Sequence, residues 1–189
     1  EIYASVPTVA SHADGFKSSI SGPGIGNYIT LAKCVSYAYK TLEEAALREQ
    51  TFVHAHGTGT PANRTSESHI LNTVAEAFGI KEWPISGLKS FLGHSMAVAA
   101  GDQLISALGT WNKGIVPRIH SIQKTAEDVH QENLDILIKD KKEDPEFFKA
   151  AFLNAKGFGG NNASAFILGP ELTLSEIKKS ISKKDFINY

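Results

Sequence analysis

The sequence predicts an α/β domain built on a mixed sheet. Three observations lead there. Strand-like apolar runs alternate with segments of helical period along the chain. Three glycine-flanked loops, around His56, His94 and Phe158, each follow such a run. The 189 residues, 42% hydrophobic and 21% charged, suffice for one well-buried domain of ordinary globular composition.

The elements follow in order. Residues 2–9 alternate like a strand, and 11–27 form a Gly/Ser/Pro-rich loop containing Ser21-Gly22-Pro23-Gly24-Ile25-Gly26. A helix is predicted over 27–48 from Tyr28, Leu31, Ala32, Val35, Ala38, Tyr39 and Leu42, with Cys34 inside it. Thr51 to Ala55 is a short buried strand running into His56-Gly57-Thr58-Gly59-Thr60-Pro61. A second helix, about 65–79, sets Ile70, Leu71, Val74, Ala75 and Phe78 on one face and stops at Gly79. Pro84 to Gly87 is a third strand, and a small-residue helix is expected over 95–112. Extended chain at 115–119, a short polar helix at 123–132, a strand at 134–138 and a charged loop at 139–146 come next. Strands 151–155 and 163–168 flank Lys156-Gly157-Phe158-Gly159-Gly160-Asn161-Asn162. Residues 1–170 are read as the domain, and 171–189 as an amphipathic tail with Leu174, Ile177 and Ile181 opposite lysines 178, 179, 183 and 184.

Composition excludes several classes. A net charge of −1 gives no reason to expect nucleic acid or an anionic membrane as partner. Asp102 and Gln103 interrupt the best apolar run, so no transmembrane helix is expected. A single cysteine excludes an internal disulfide and fits a reducing, cytoplasmic setting. The chain opens inside a strand-like run, which reads as a piece of a longer polypeptide.

The stretch Gly87 to Gly101 carries the chemistry. Lys89 and His94 lie five residues apart across a glycine turn, so both can face one pocket. With Ser95 capping the next helix, His94 would feel the positive end of the helix dipole, which favours neutral imidazole. Loops at one edge of an α/β sheet converge, so His56 is expected to join His94 there. Two neutral imidazole N–H donors aimed at one thioester oxygen would stabilise an enolate left by decarboxylation. Glu67, on the helix after the first loop, is expected to pair with Lys89.

Rival readings are weaker. His54, His56 and His94 could ligate a metal, but the glycine turn begins directly after His56 and no acidic ligand follows. Neither Gly57-Thr58-Gly59-Thr60 nor Gly157-Phe158-Gly159-Gly160 has a Walker lysine or a dinucleotide fingerprint. No metal and no cofactor are expected. His12, His69, His120 and His130 are read as surface or supporting residues.

His56-Gly57-Thr58-Gly59-Thr60-Pro61, Lys89-Ser90-Phe91-Leu92-Gly93-His94-Ser95 and Gly157-Phe158-Gly159-Gly160-Asn161-Asn162 resemble, in order and approximate spacing, the three C-terminal motifs of β-ketoacyl synthases. The resemblance covers essentially the whole chain. It implies one half of a thiolase-like αβαβα fold, with a mixed five-stranded sheet covered by helices. It implies decarboxylative Claisen condensation of malonyl-acyl carrier protein with an acyl-CoA or acyl-carrier-protein thioester in fatty-acid biosynthesis. It further implies His56 and His94 as the malonyl-binding pair, Lys89 as the organising lysine and Glu67 as its carboxylate partner. Phe158 resembles the gating aromatic, with Gly159 beside it and nearby backbone N–H helping to hold an oxyanion.

Arg64 and Lys156 depart from the family pattern, which usually has an acidic residue and an aromatic or small one there. Together with the surrounding motifs they resemble a divergent, longer bacterial branch that initiates fatty-acid chains. Cys34 sits mid-helix without a nucleophile-elbow pattern and reads as a buried structural thiol. The resemblance therefore implies a missing N-terminal half that supplies the nucleophile, a homodimeric full enzyme and no condensation by this chain alone. The alternative is a non-catalytic partner subunit of the chain-length-factor type, but such partners tend to lose the histidines that are present here.

Overall fold

The computed structural model describes residues 1–15 and 24–181. The elements are β1 (Ser5–Ala13), α1 (Gly26–Thr41), α2 (Glu44–Glu49), β2 (Thr51–His54), α3 (Pro61–Ala77), β3 (Trp83–Ser86), α4 (Lys89–Leu92) and α5 (Ala99–Lys113). After these come β4 (Ile115–Val116), β5 (Leu134–Ile136), β6 (Lys141–Lys142), β7 (Ala150–Gly157), β8 (Asn161–Leu168) and α6 (Pro170–Ser180).

One sheet organises the chain, in the order β1-β8-β7-β2-β3-β5, and β4 and β6 form a separate antiparallel pair. β1, β8 and β7 pair antiparallel, while β7, β2, β3 and β5 run parallel, so the sheet is mixed as expected. It has six strands rather than the five implied by the resemblance, with β1 and β5 at its two edges. All four residues of β2 and of β3 are buried, as strands covered on both faces must be.

The two faces carry separate cores. Leu31, Cys34 and Val35 of α1 pack with Leu71 and Val74 of α3 against Val53, Ile85, Phe152 and Phe166. On the other face Ala107 and Trp111 of α5 meet Phe52, Phe148, Leu153 and Ile167. Alternation along β2 sends Phe52 and Val53 to opposite cores. Trp83 is fully buried, and its indole N–H donates to Thr51 Oγ1 at 2.9 Å.

Several boundaries differ from the sequence reading. The helix expected over 27–48 is two helices, because Leu42 turns extended at ψ 155° and enters the core. The second predicted helix starts earlier, at Pro61, whose fixed φ suits the first helical turn. No helix spans 123–132. That stretch is an irregular strap pinned to α3 by Arg64 and Thr65 on Asp128 and by the His130 N–H on Ser68 Oγ. The predicted helix at 95–112 is α5 from Ala99, preceded by a single 3-10 turn over Met96–Val98. The loop expected at 11–27 is shortened by β1, and its residues 16–23 lie outside the described residues, as do 182–189 of the tail with Lys183 and Lys184.

Candidate active site

His56 follows the end of β2, where the parallel strands deliver it to the edge of the sheet. Gly57 makes the turn possible: its φ is +57°, and a Cβ there would meet the Gly87 Cα at 3.4 Å. The His56 peptide is gripped on every side. Its N–H donates to Glu67 Oε1 at 2.7 Å, and its carbonyl accepts from Lys89 Nζ. The ring is buried, and its Nδ1 accepts the Lys156 backbone N–H at 3.2 Å.

That last bond decides the tautomer. A ring nitrogen accepting an N–H carries no proton, so the neutral imidazole has its hydrogen on Nε2. Nε2 is buried and finds no partner among the described residues. Burial pushes the imidazole down to about 4; Glu67 opposes this, and Lys89, Lys156 and His94 add to it. His56 is therefore a neutral donor at neutral pH.

His94 reaches the same tautomer by another route. α4 ends at Gly93, which at φ +74° reverses the chain and presents His94. The Met96 N–H donates to His94 Nδ1 at 3.0 Å, leaving Nε2 to carry the hydrogen. Met96 adopts φ +59° to do so, a left-handed conformation costing about 1 kcal/mol in a residue with a Cβ. Here the expectation needs correcting. Ser95 makes no capping bond and instead donates to Asp102, and α5 begins five residues beyond His94. A bond within a local turn, rather than the dipole of α5, fixes the tautomer of this ring. The two rings meet edge to face with centroids 5.7 Å apart.

Glu67 is a buried carboxylate with four N–H donors. Oε1 accepts from His56 N–H and, at 2.8 Å, Asn154 Nδ2. Oε2 accepts from the Gly57 N–H and Asn63 Nδ2, both at 2.9 Å. Burial alone would raise its carboxyl, but the Gly57 N–H, the Lys156 ammonium and the Asn154 amide oppose it, and the group is held below the usual carboxylate range. The expected Glu67–Lys89 pair is not a direct one: Lys89 grips the His56 carbonyl instead and feels Glu67 through space. Burial pushes the Lys89 ammonium down, while Glu67 and Asp102 push it back.

Phe158 stands 73% exposed on the turn after β7, with its carbonyl accepting from Asn161 Nδ2 at 2.8 Å. Gly159 holds φ +79° beside it. β7 links this turn to the imidazoles through Lys156, whose ammonium donates to Asn63 Oδ1 and Ser66 Oγ. Arg64 points away, to a two-pronged pair with Asp128 at the surface.

Cys34 lies in the core between α1 and the sheet. Its thiol donates to the Ser164 carbonyl, and burial pushes it up to about 11. His54 is fully buried against Phe52, with both ring nitrogens unpartnered among the described residues and its imidazole pushed down to about 3 by burial. Among the described residues no cluster of three His, Cys, Asp or Glu could hold a metal ion, and no helix is long and apolar enough to cross a membrane.

Three polar residues at the site were missed in the sequence: Asn63, Asn154 and Gln103. Asn154 carried a signal, as an amide inside an otherwise apolar strand. Gln103 was visible only as a break in an apolar run.

Residues 3–123 match the family model described as the C-terminal domain of β-ketoacyl synthases. Over all 189 residues the chain is 48% identical to the β-ketoacyl-[acyl-carrier-protein] synthase FabY of Pseudomonas aeruginosa, and it spans 30% of that protein's length. The crystal structure of the noncanonical ketosynthase FabY from P. aeruginosa superposes on the whole chain with a TM-score of 0.93, the chain covering 29% of it. A ketosynthase from module 6 of the bacillaene synthase of Bacillus subtilis shares the fold at 20% identity, with a TM-score of 0.75 over 89% of this chain and 31% of its own.

Proposed function

This chain belongs to the β-ketoacyl synthase family and carries its C-terminal domain; on that premise we propose that it supplies the decarboxylating half of a condensing active site. The observation that carries the proposal is the matched state of the two imidazoles. A backbone N–H occupies each Nδ1, so His56 and His94 both offer an Nε2–H. Two such donors on one malonyl thioester oxygen stabilise the enolate formed as the C–C bond to the carboxylate breaks and CO₂ leaves. The enolate carbon then attacks an acyl thioester, forming the new C–C bond and releasing the thiolate that held the acyl group.

Lys89 and Glu67 fix the His56 peptide from its two ends, and Lys89 adds positive potential for the developing charge. Phe158 acts as the exposed gate, with Gly159 giving its turn freedom. The substrates on this reading are malonyl-acyl carrier protein and an acyl-CoA or acyl-carrier-protein thioester, in fatty-acid biosynthesis in the cytoplasm. The acyl-bearing thiol comes from an N-terminal ketosynthase half, within a homodimer. Cys34 does not serve, because its thiol is buried and held protonated. Residues 1–170 act as the domain and 171–189 as its amphipathic tail, and the chain alone performs no condensation.

Malonyl-thioester decarboxylation by the full-length protein tests the reading. His56→Ala and His94→Ala should each lower its kcat about 10²- to 10³-fold, the cost of one oxyanion donor. Decarboxylation at the wild-type rate by either variant overturns it.

A further inference from the structure

The two imidazoles come from elements with no covalent reason to keep a fixed distance. His56 sits on the loop after β2, and His94 on the turn leading into α5. One buried side chain ties these elements together. Gln103 of α5 is 3% exposed, and its Nε2 donates to the carbonyls of Ala55 at 2.9 Å, Asn154 at 3.1 Å and His54 at 3.3 Å. The first and last lie immediately before His56, and the second lies on β7, two residues before the N–H that fixes the His56 ring.

Glu67 and Gln103 therefore clamp the same loop from opposite faces of the sheet. Glu67 takes the N–H groups of His56 and Gly57, and Gln103 takes the carbonyls of His54 and Ala55. α5 is in turn joined to the His94 turn, since Asp102, the neighbour of Gln103, accepts the Ser95 hydroxyl. A continuous chain of bonds thus runs from the His56 loop through Gln103 and Asp102 to the residue following His94. We propose that Gln103 is a positioning residue, whose amide sets the spacing of the His56 and His94 rings by locking α5 onto the ends of β2 and β7. The inference rests on the reading of those rings as paired oxyanion donors. An amide suits the task because its NH₂ group shares two N–H donors among the three carbonyls, whereas a carboxylate oxygen in the same place would repel all three.

The test uses the full-length protein and reads two half-reactions separately. Malonyl decarboxylation needs both rings; acyl transfer onto the enzyme's thiol does not. Gln103→Met keeps side-chain volume and removes both donors, and Gln103→Glu keeps the shape and reverses the polarity. Decarboxylation kcat is expected to fall about 10- to 100-fold in Q103M and further in Q103E, with KM for the malonyl thioester within about twofold and acyl transfer unchanged. Gln103→Asn, one methylene short of the carbonyls, gives the same split and stands in should the methionine variant not fold. Wild-type decarboxylation in Q103M, or an equal loss in both half-reactions, overturns the proposal. His56→Ala measured alongside separates the failures. If His56→Ala retains decarboxylation, the reading of the rings falls and this inference with it. If it is inactive while Q103M is unimpaired, only the inference falls.

Discussion

Replacing Glu67 with Gln exchanges one oxygen for an NH₂ group and should unsettle the whole site. The carboxylate accepts four N–H bonds and donates none. A Gln there has one oxygen and one NH₂ group, so in either orientation the NH₂ faces two donors. These are His56 N–H with Asn154 Nδ2, or Gly57 N–H with Asn63 Nδ2. Neither asparagine escapes by flipping. Asn154 Oδ1 already accepts from Asn27 and Ser164, and Asn63 Oδ1 from Lys156. Two charge-assisted bonds are lost at about 1.5–3 kcal/mol each, and relief of the buried charge offsets part of that. The expected loss is about 3–5 kcal/mol, a large share of a domain's stability. At this size it lowers Tm by about 6–20 °C. The carboxyl is held below its unfolded value, so its contribution is full above the unfolded pKa and drains away as pH falls through the folded one. The gap between Glu67→Gln and wild type should therefore be widest at neutral pH and close in acid. Urea unfolding followed by the fluorescence of Trp83 and Trp111 measures it. A variant within about 1 kcal/mol of wild type at neutral pH would refute the four-donor argument.

Three further outcomes are expected. His54 is buried with unpartnered nitrogens and a pKa pushed down to about 3, so acid favours the unfolded state, which binds the proton near its ordinary value. His54→Leu should stabilise by about 1–2 kcal/mol at neutral pH, and at pH 5 by about 2 kcal/mol more; denaturation curves at the two pH values read both. Cys34, with its thiol pushed up to about 11, should resist alkylation at pH 8 in the folded protein and react once unfolded, as peptide mass mapping would record. Phe158→Ala should leave stability within about 0.5 kcal/mol, because the ring is 73% exposed, yet, on the gating role proposed for it, lower condensation kcat/KM; thermal melts and steady-state kinetics separate the two.

Much of this fold was legible because its signals are local. Buried strands such as Thr51–His54 announce themselves by short β-prone runs centred on apolar pairs like Phe52-Val53, and the glycines at 57, 93 and 159 mark turns that do hold positive φ. The family resemblance, carried by three ordered motifs, agrees with the match over residues 3–123 and with the superposed fold. What stayed hidden depends on contacts between distant segments. The strap at 123–132 has helical-looking polarity, but Arg64, Thr65 and Ser68 of α3 hold it as irregular chain. Glu67 looked like a partner for Lys89 because opposite charges are the only pairing that spacing suggests. Its real partners are two backbone N–H groups and two amides that folding alone brings near. The neutral form of His94 is expected from a nearby helix end, whereas the bond from the Met96 N–H fixes the ring, and no residue type announces a left-handed methionine.

The central claim is that both imidazoles are neutral and carry their hydrogen on Nε2. Nuclear magnetic resonance of isotope-labelled ring nitrogens in the full-length protein at neutral pH reads this directly. The account predicts, for both His56 and His94, an unprotonated Nδ1 and a protonated Nε2, unchanged for His56 down to about pH 5. A hydrogen on Nδ1 of either ring, or a doubly protonated His56 at neutral pH, would contradict it.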